Sequence, residues 1–367
     1  MIFFLVLLWL LVQLVMLAYF GIRTGSDTEI YVNTAHALLE GNFPEGRLRW
    51  YSTYIALLAA VFALGGSLGW VVGIQIILSG LAAAFLWKAV LKLSGDLRIS
   101  FVAVFLYLAW AKIHQWNIFV YTESLFTSLS LIAFGSWLLS RKSWQYGLSV
   151  LLIVVTFFVR PTGFSFLAGW LLFGLAVLPV KKSWKWTAVV PVLVVSLLLL
   201  DLMLKDFILI ASYARAEIIY PDINMGVTPP DDLQIPEDSS RPLERLLLFV
   251  WYNSGYFIKI SLIKLFLFFG NVKPYFSLLH NLLIVLLLYP LYFFAILGYR
   301  RLPNACHAKY FMLGFILVQA CTVALTSENW DGRFLVPVLP FVFILSAVGI
   351  TGALTKKPLP FPEEVQL

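Results

Sequence analysis

Residues 246–270 read LLLFVWYNSGYFIKISLIKLFLFFG, and whether this run crosses a membrane decides the topology of the whole chain. It is long enough to span, since a spanning helix needs about 20 apolar residues. Asn253, Ser254, Lys259, Ser261 and Lys264 interrupt it, however. A helix so interrupted is expected to lie along the interface, as polar-faced helices do.

The rest of the chain leaves room for that reading. Apolar runs occupy roughly 1–20, 51–65, 69–91, 99–115, 121–140, 145–159, 163–180, 184–205, 246–270, 277–298, 309–327 and 334–354. Between them stand Lys88/Lys92/Arg98, Arg141/Lys142, Lys181/Lys182/Lys185, Arg300/Arg301/Lys309 and Lys356/Lys357. If these basic clusters are cytoplasmic, an even number of crossings must separate successive ones. Three runs lie between Lys185 and Arg300, so one does not cross, and 246–270 is the interrupted one. By the same parity 69–91 descends to the Lys88–Arg98 cluster and the shorter 51–65 rests at the surface. About ten crossings remain, with both termini inside. Residues 21–68, 116–122, 206–276, 328–333 and the polar point at Arg160 then share the external side.

Composition agrees with a lipid solvent. The 367 residues are 61% hydrophobic and 12% charged, with a mean hydropathy of +0.90. Soluble domains carry about 25% charged residues. The net charge of +7 resides in the loop clusters, which points to the positive-inside bias and away from nucleic acid. Cys306 in a basic loop and Cys321 in an apolar run make no disulfide framework. Residues 1–20 lack a basic leader and are long enough to span, so they read as a retained first helix. One transmembrane domain, 1–354, with a short cytoplasmic tail, 355–367, is expected. The stretch 206–245 has eight acidic residues, three basic ones and five prolines, and reads as a long external loop that covers a site.

Several polar strings fall on the external side. After Gly25-Ser26-Asp27-Thr28-Glu29-Ile30-Tyr31, the residues Glu29, Asn33, His36 and Glu40 form one helical stripe. Tyr31, Ala35, Leu38 and Leu39 form another, which predicts an amphipathic interfacial helix. Ser26 with Glu29 reads as a capping box. A carboxylate at Asp27 suits a helix N-terminus on electrostatic grounds alone, or serves as a general base where water and membrane meet. Glu123, in Tyr121-Thr122-Glu123-Ser124-Leu125, opens the fourth span, where an ionisable residue is costly enough to imply a role. Pro161 keeps Arg160 out of helical conformation, so one span stops and the next begins at Val159-Arg160-Pro161-Thr162-Gly163. Lys273-Pro274-Tyr275-Phe276-Ser277 precedes His280-Asn281, with Lys259 and Lys264 just before. Glu328-Asn329-Trp330-Asp331-Gly332-Arg333-Phe334 and Pro337 follow. His36, His114 and His307 read as ordinary interface or loop residues.

In order and spacing these strings over residues 21–340 resemble the GT-C integral membrane glycosyltransferases. The closest likeness is to the protein O-mannosyltransferase and lipid A aminoarabinose transferase branch, glycosyltransferase family 39. The resemblance implies an all-α GT-C fold and a bacterial-type inner membrane with the active site on the external face. It also implies a polyprenyl-phosphate-linked sugar as donor, a glycan, lipid or protein as acceptor, and inversion at the transferred carbon. The family's acidic residue in the first loop corresponds to Asp27, the expected base, and Glu123 to its acidic position in the second. Arg160, Lys264 and Arg333 are the expected clamp for the leaving phosphate, with Lys259, Tyr275 and His280 beside them. The first loop carries Asp27-Thr28-Glu29 where an Asp-x-Asp pair would stand, so a divalent metal, if used, would sit at Asp27 and Glu29. A lipid-linked glycan flippase or other transporter, or an O-antigen-type polymerase, is the alternative. Inverted repeats and broken helices, the marks of transporters, are not visible in the sequence.

Overall fold

The structure is a computed structural model that describes residues 1–178, 190, 194, 197–207, 209–237 and 241–355. The Lys181/Lys182/Lys185 and Lys356/Lys357 clusters, much of the 184–205 run and the tail after Thr355 lie outside the described residues. Among the described residues the chain is all-α apart from one pair of two-residue strands.

Among the described residues, four helices are long and apolar enough to cross a membrane: α1 (Ile2–Phe20), α4 (Leu68–Ser94), α13 (Leu278–Arg301) and α14 (Ala308–Leu325). Two bent pairs raise the number to six if each counts as one span. In length and composition these helices mark a multi-pass membrane protein. The first bent pair is α5 (Leu97–Ala109) with α6 (Ala111–Gln115) and the turn that follows, bent by 54°. The second is α11 (Pro242–Tyr252) with α12 (Ser254–Gly270), bent by 102°.

That second pair replaces the single interfacial helix expected over 246–270. The break falls at Asn253, whose side chain behaves as a piece of loop backbone. Its Oδ1 accepts from Gln234 N at 3.0 Å and its Nδ2 donates to Gln234 O at 2.7 Å. Both bonds tie the corner between the two helices to the segment that precedes them.

One of the two most buried helices is among the less apolar ones. In α7 (Thr122–Leu139) every residue from Thr122 to Gly135 is buried, although Thr122, Ser124, Thr127, Ser128 and Ser130 are among them. It packs on α4 and on α8 (Ser143–Phe157), with α9 (Gly163–Val177) beyond. A helix surrounded by protein needs no lipid-matching surface. The window of α1 is only 17% buried, and it is the most hydropathic of all.

The closest helix crossing joins α13 to α15 (Leu339–Thr355) through two glycines. A Cβ at Gly349 would stand 1.9 Å from the Phe294 carbonyl oxygen, and one at Gly298 would stand 1.9 Å from that of Leu345. Small residues let helix backbones touch in membranes. Gly349→Ala, a single added methyl, should therefore lower stability in detergent by about 1–3 kcal/mol. Gly174→Ala on α9, with nothing within 4 Å, should leave it unchanged or slightly raised. Equal unfolding temperatures for the two variants would refute the backbone-to-backbone contact.

The segments between the long helices are not structureless. α2 (Ser26–Leu39) packs on α3 (Ser52–Ala63), with Tyr31 and Ala35 buried and Glu29, Asn33, His36 and Glu40 exposed, as the two stripes require except at Leu39, which ends the helix and is exposed. Residues 206–270 build a second small core around Tyr213, Ile218, Ile219, Phe249 and Ile260. This includes α10 (Leu209–Ala214), so 206–245 has structure of its own. Strand β1 (Ile219–Tyr220) pairs in parallel with β2 (Glu328–Asn329). That pairing ties the long acidic segment to the turn that carries Arg333.

Candidate functional site

Local pairing sets Asp27 in place. After α1 the chain turns at Gly21 (φ 63°). Arg23 N then donates to Ile118 O at 2.9 Å, and Val120 N donates back to Arg23 O at 3.0 Å. Thr28 Oγ1 donates to Val120 O and accepts from Gly25 N, both at 3.1 Å. The helix thus begins one residue earlier than the sequence implied. Gly25 is its N-cap, and Thr28, rather than Glu29, closes the first turn. Gly25 is needed on steric grounds, because a Cβ there would lie 2.2 Å from the Tyr121 hydroxyl oxygen. That hydroxyl takes a hydrogen bond from the Asp27 backbone.

The result brings four distant segments to one point. Arg333 Nη1 lies 3.2 Å from Asp27 Oδ2, and Arg333 Nε donates to Glu123 Oε1 at 2.5 Å. Arg160 Nη1 lies 3.2 Å from the same Glu123 oxygen. Glu123, in the first turn of α7, is fully buried, and Arg160 and Arg333 nearly so, whereas the Asp27 side chain is 37% exposed. The Arg333 guanidinium lies over the Tyr121 ring at 4.7 Å, and that of Arg160 lies over Phe334 at 5.3 Å.

Two carboxylates and two guanidiniums balance one another, with Asp27 as the member open to the outside. Burial by itself would depress the Arg333 pKa, but Glu123 and Asp27 outweigh it and hold it above the ordinary value. Tyr31 nearby stays a neutral phenol, since burial first, then Tyr51 and Asp27, push its pKa well up. Glu123 Oε2, Arg160 Nε, Thr122 Oγ1 and Thr162 Oγ1 are buried without a hydrogen-bond partner among the described residues. Such groups are costly to leave bare. A half-exposed carboxylate backed by buried cations can accept a proton outside while the guanidiniums take up anionic oxygen.

Backbone strain presents Arg333. Asp331 and Gly332 both adopt left-handed conformation (φ 71° and 68°), and a Cβ on Gly332 would meet Asn271 Oδ1 at 2.5 Å. Asp331 is anchored on three sides. Lys112 pairs with its Oδ1, Gln115 donates to Oδ2 at 3.4 Å, and its own N–H donates to the Tyr275 hydroxyl at 3.1 Å. Lys112 also lies over Phe276, on which His280 stacks at 4.1 Å. Sequence reasoning missed Lys112, although a lone lysine at the end of the 99–115 run was a visible signal.

Other expected site residues go elsewhere. Lys264 is fully buried in the second core, 4.0 Å from the Tyr213 ring centre, and no described contact joins it to Arg333. Its charge is answered there by Glu217, which is also buried. Lys259, on the same helix as Lys264, is exposed. Asp27 and Glu29 cannot share a cation as expected, because residues two apart on a helix do not face each other, and Glu29 is exposed. Among the described residues no three His, Cys, Asp or Glu side chains group to hold a metal. His114 is no interface residue: it is fully buried, 3.0 Å from both Gln13 Nε2 and Tyr107 O. Asn117, bonded to Gln13, continues this network to Ser124 at 2.6 Å, one residue from Glu123.

Fold and site thus define an all-α, multi-pass type of chain with a charged cluster where loops meet helix ends. Comparison with protein-family models, with curated proteins and with solved structures returns no match for this chain.

Proposed function

We propose that the chain is a GT-C-type glycosyltransferase that moves a sugar from a polyprenyl-phosphate carrier to an acceptor hydroxyl at the external membrane face. One observation carries this reading. Asp27 is half-exposed and salt-linked to Arg333, with Glu123 and Arg160 buried behind. Asp27 takes the proton from the acceptor hydroxyl as its oxygen attacks the sugar carbon. The carbon–oxygen bond to phosphate breaks on the opposite side, which inverts the centre. Arg333 and Arg160 meet the charge that develops on the leaving phosphate, and Glu123 holds both guanidiniums in place. Tyr275 and His280 border the acceptor side, next to the Lys112–Asp331 pair. In this reading the bent 97–118 pair, α7, the 184–205 run and the short apolar helices Ser143–Phe157, Gly163–Val177 and Leu339–Leu354 cross as well as the four long helices, while 246–270 does not, for about ten spans.

The transporter reading draws on the two bent helix pairs, since broken helices are common in transporters. Purified protein given a radiolabelled polyprenyl-phosphate sugar and extracted acceptor separates the two. An enzyme yields labelled acceptor and free carrier phosphate in detergent, while a flippase yields neither. A product-free reaction over a full range of carrier sugars would overturn the proposal.

Topology is tested independently. In a background lacking Cys306 and Cys321, cysteines at Asn42 and Asp232 should react with an impermeant maleimide on intact cells. One at Lys356 should react only after lysis. The reverse pattern would refute the external placement of Asp27.

A further inference from the structure

The charged cluster occupies one end of the helices, and an apolar cavity lies toward the other. It lies between the start of α1, the second half of α4 and α5, with a volume of about 460 Å³, within the range of ligand sites. Leu5, Trp9, Leu81, Ala84 and Val104 form its walls. Trp9 is seated by Gly80, where a Cβ would come within 2.9 Å of the indole. The indole N–H is satisfied by Ser79 Oγ at 3.1 Å, so the ring offers the cavity an apolar face. The mouth faces outward through Ile2, Val6, Ile77 and Leu81, all strongly exposed, which in a membrane means toward lipid.

Lys88, the one charged group of the lining, is exposed at the rim. Lys92 follows one turn later on the same face of α4, and Arg98 opens α5. The acidic residue between them, Asp96, spends its carboxylate on capping, accepting from Arg98 N at 2.7 Å. The rim is therefore basic and the interior dry. We infer that this groove binds an anionic glycerophospholipid, one acyl chain lying along α4 and the headgroup phosphate against Lys88. The lipid belongs to the leaflet opposite Asp27, because α1 runs from the groove to the Asp27 loop and α4 runs from that loop back to Lys88. It is thus a site separate from any carrier bound near Arg333, and it holds whatever reaction the charged cluster performs.

Native mass spectrometry of the full chain, delipidated and titrated with phosphatidylglycerol or phosphatidylcholine, tests the site. Wild type should retain one phosphatidylglycerol more strongly than phosphatidylcholine. Lys88→Ala should weaken the phosphatidylglycerol adduct about fivefold, as expected for one lysine beside an anionic surface, and leave phosphatidylcholine unchanged. Ala84→Phe, at an exposed position, fills the groove and should weaken both lipids. Leu81→Trp on the same wall replaces it if yield falls. Equal retention of both lipids by all variants would overturn the site. Preferential displacement by a polyprenyl monophosphate would overturn the glycerophospholipid assignment.

Discussion

Asp27→Asn should abolish at least about two orders of magnitude of sugar transfer while leaving the protein folded and able to bind carrier lipid. An alkoxide is too basic to form unaided near neutrality, and a positioned base contributes about 10²–10⁴-fold. The substitution separates a base from a carboxylate that merely suits the helix start. Asp27 stands in the first turn behind the Gly25 cap, where losing the charge costs only about 0.3–1 kcal/mol. The Asn amide oxygen can still accept from Arg333, and the Arg333–Glu123 pair is untouched. Unfolding temperature and carrier binding should therefore stay near wild type, with the loss in turnover. Wild-type rates at equal solubilised yield would remove Asp27 from the chemistry and leave the cluster a structural one.

Glu123→Ala should have the largest effect on stability. It leaves Arg160 and Arg333 buried against each other with only Asp27 to offset them. Removing one partner of a buried ion pair costs about 3–5 kcal/mol, enough to lower yield as well as unfolding temperature. Replacing a buried pair together by apolar residues is often neutral. Glu123→Leu combined with Arg160→Met should thus recover most of the stability, since Arg333 keeps Asp27. It should not recover transfer, because half of the phosphate clamp is gone. If the single variant melts like wild type, the cluster does not hold the loops to α7. If the double variant regains transfer, Arg160 has no part in it.

The sequence by itself determined the helical, lipid-solvated character of the chain, because apolar run length and loop charge act locally. It also determined the amphipathic stripes of α2, the stop at Arg160-Pro161 and the start of α7 at Thr122, each set by neighbours within one or two turns. Asp27, Glu123, Arg160 and Arg333 could be read as candidates, since an ionisable residue beside an apolar run is conspicuous. That one guanidinium touches both carboxylates was decided by tertiary structure alone. Their separations of 306 and 210 residues put the contact beyond any periodicity. The same holds for Lys112 with Asp331, for the β1–β2 pairing and for the removal of Lys264 into a second core. Asn253 shows the limit most plainly. Its polarity marked an interruption in the run, but the 102° bend there and the bonds to Gln234 belong to the folded chain alone.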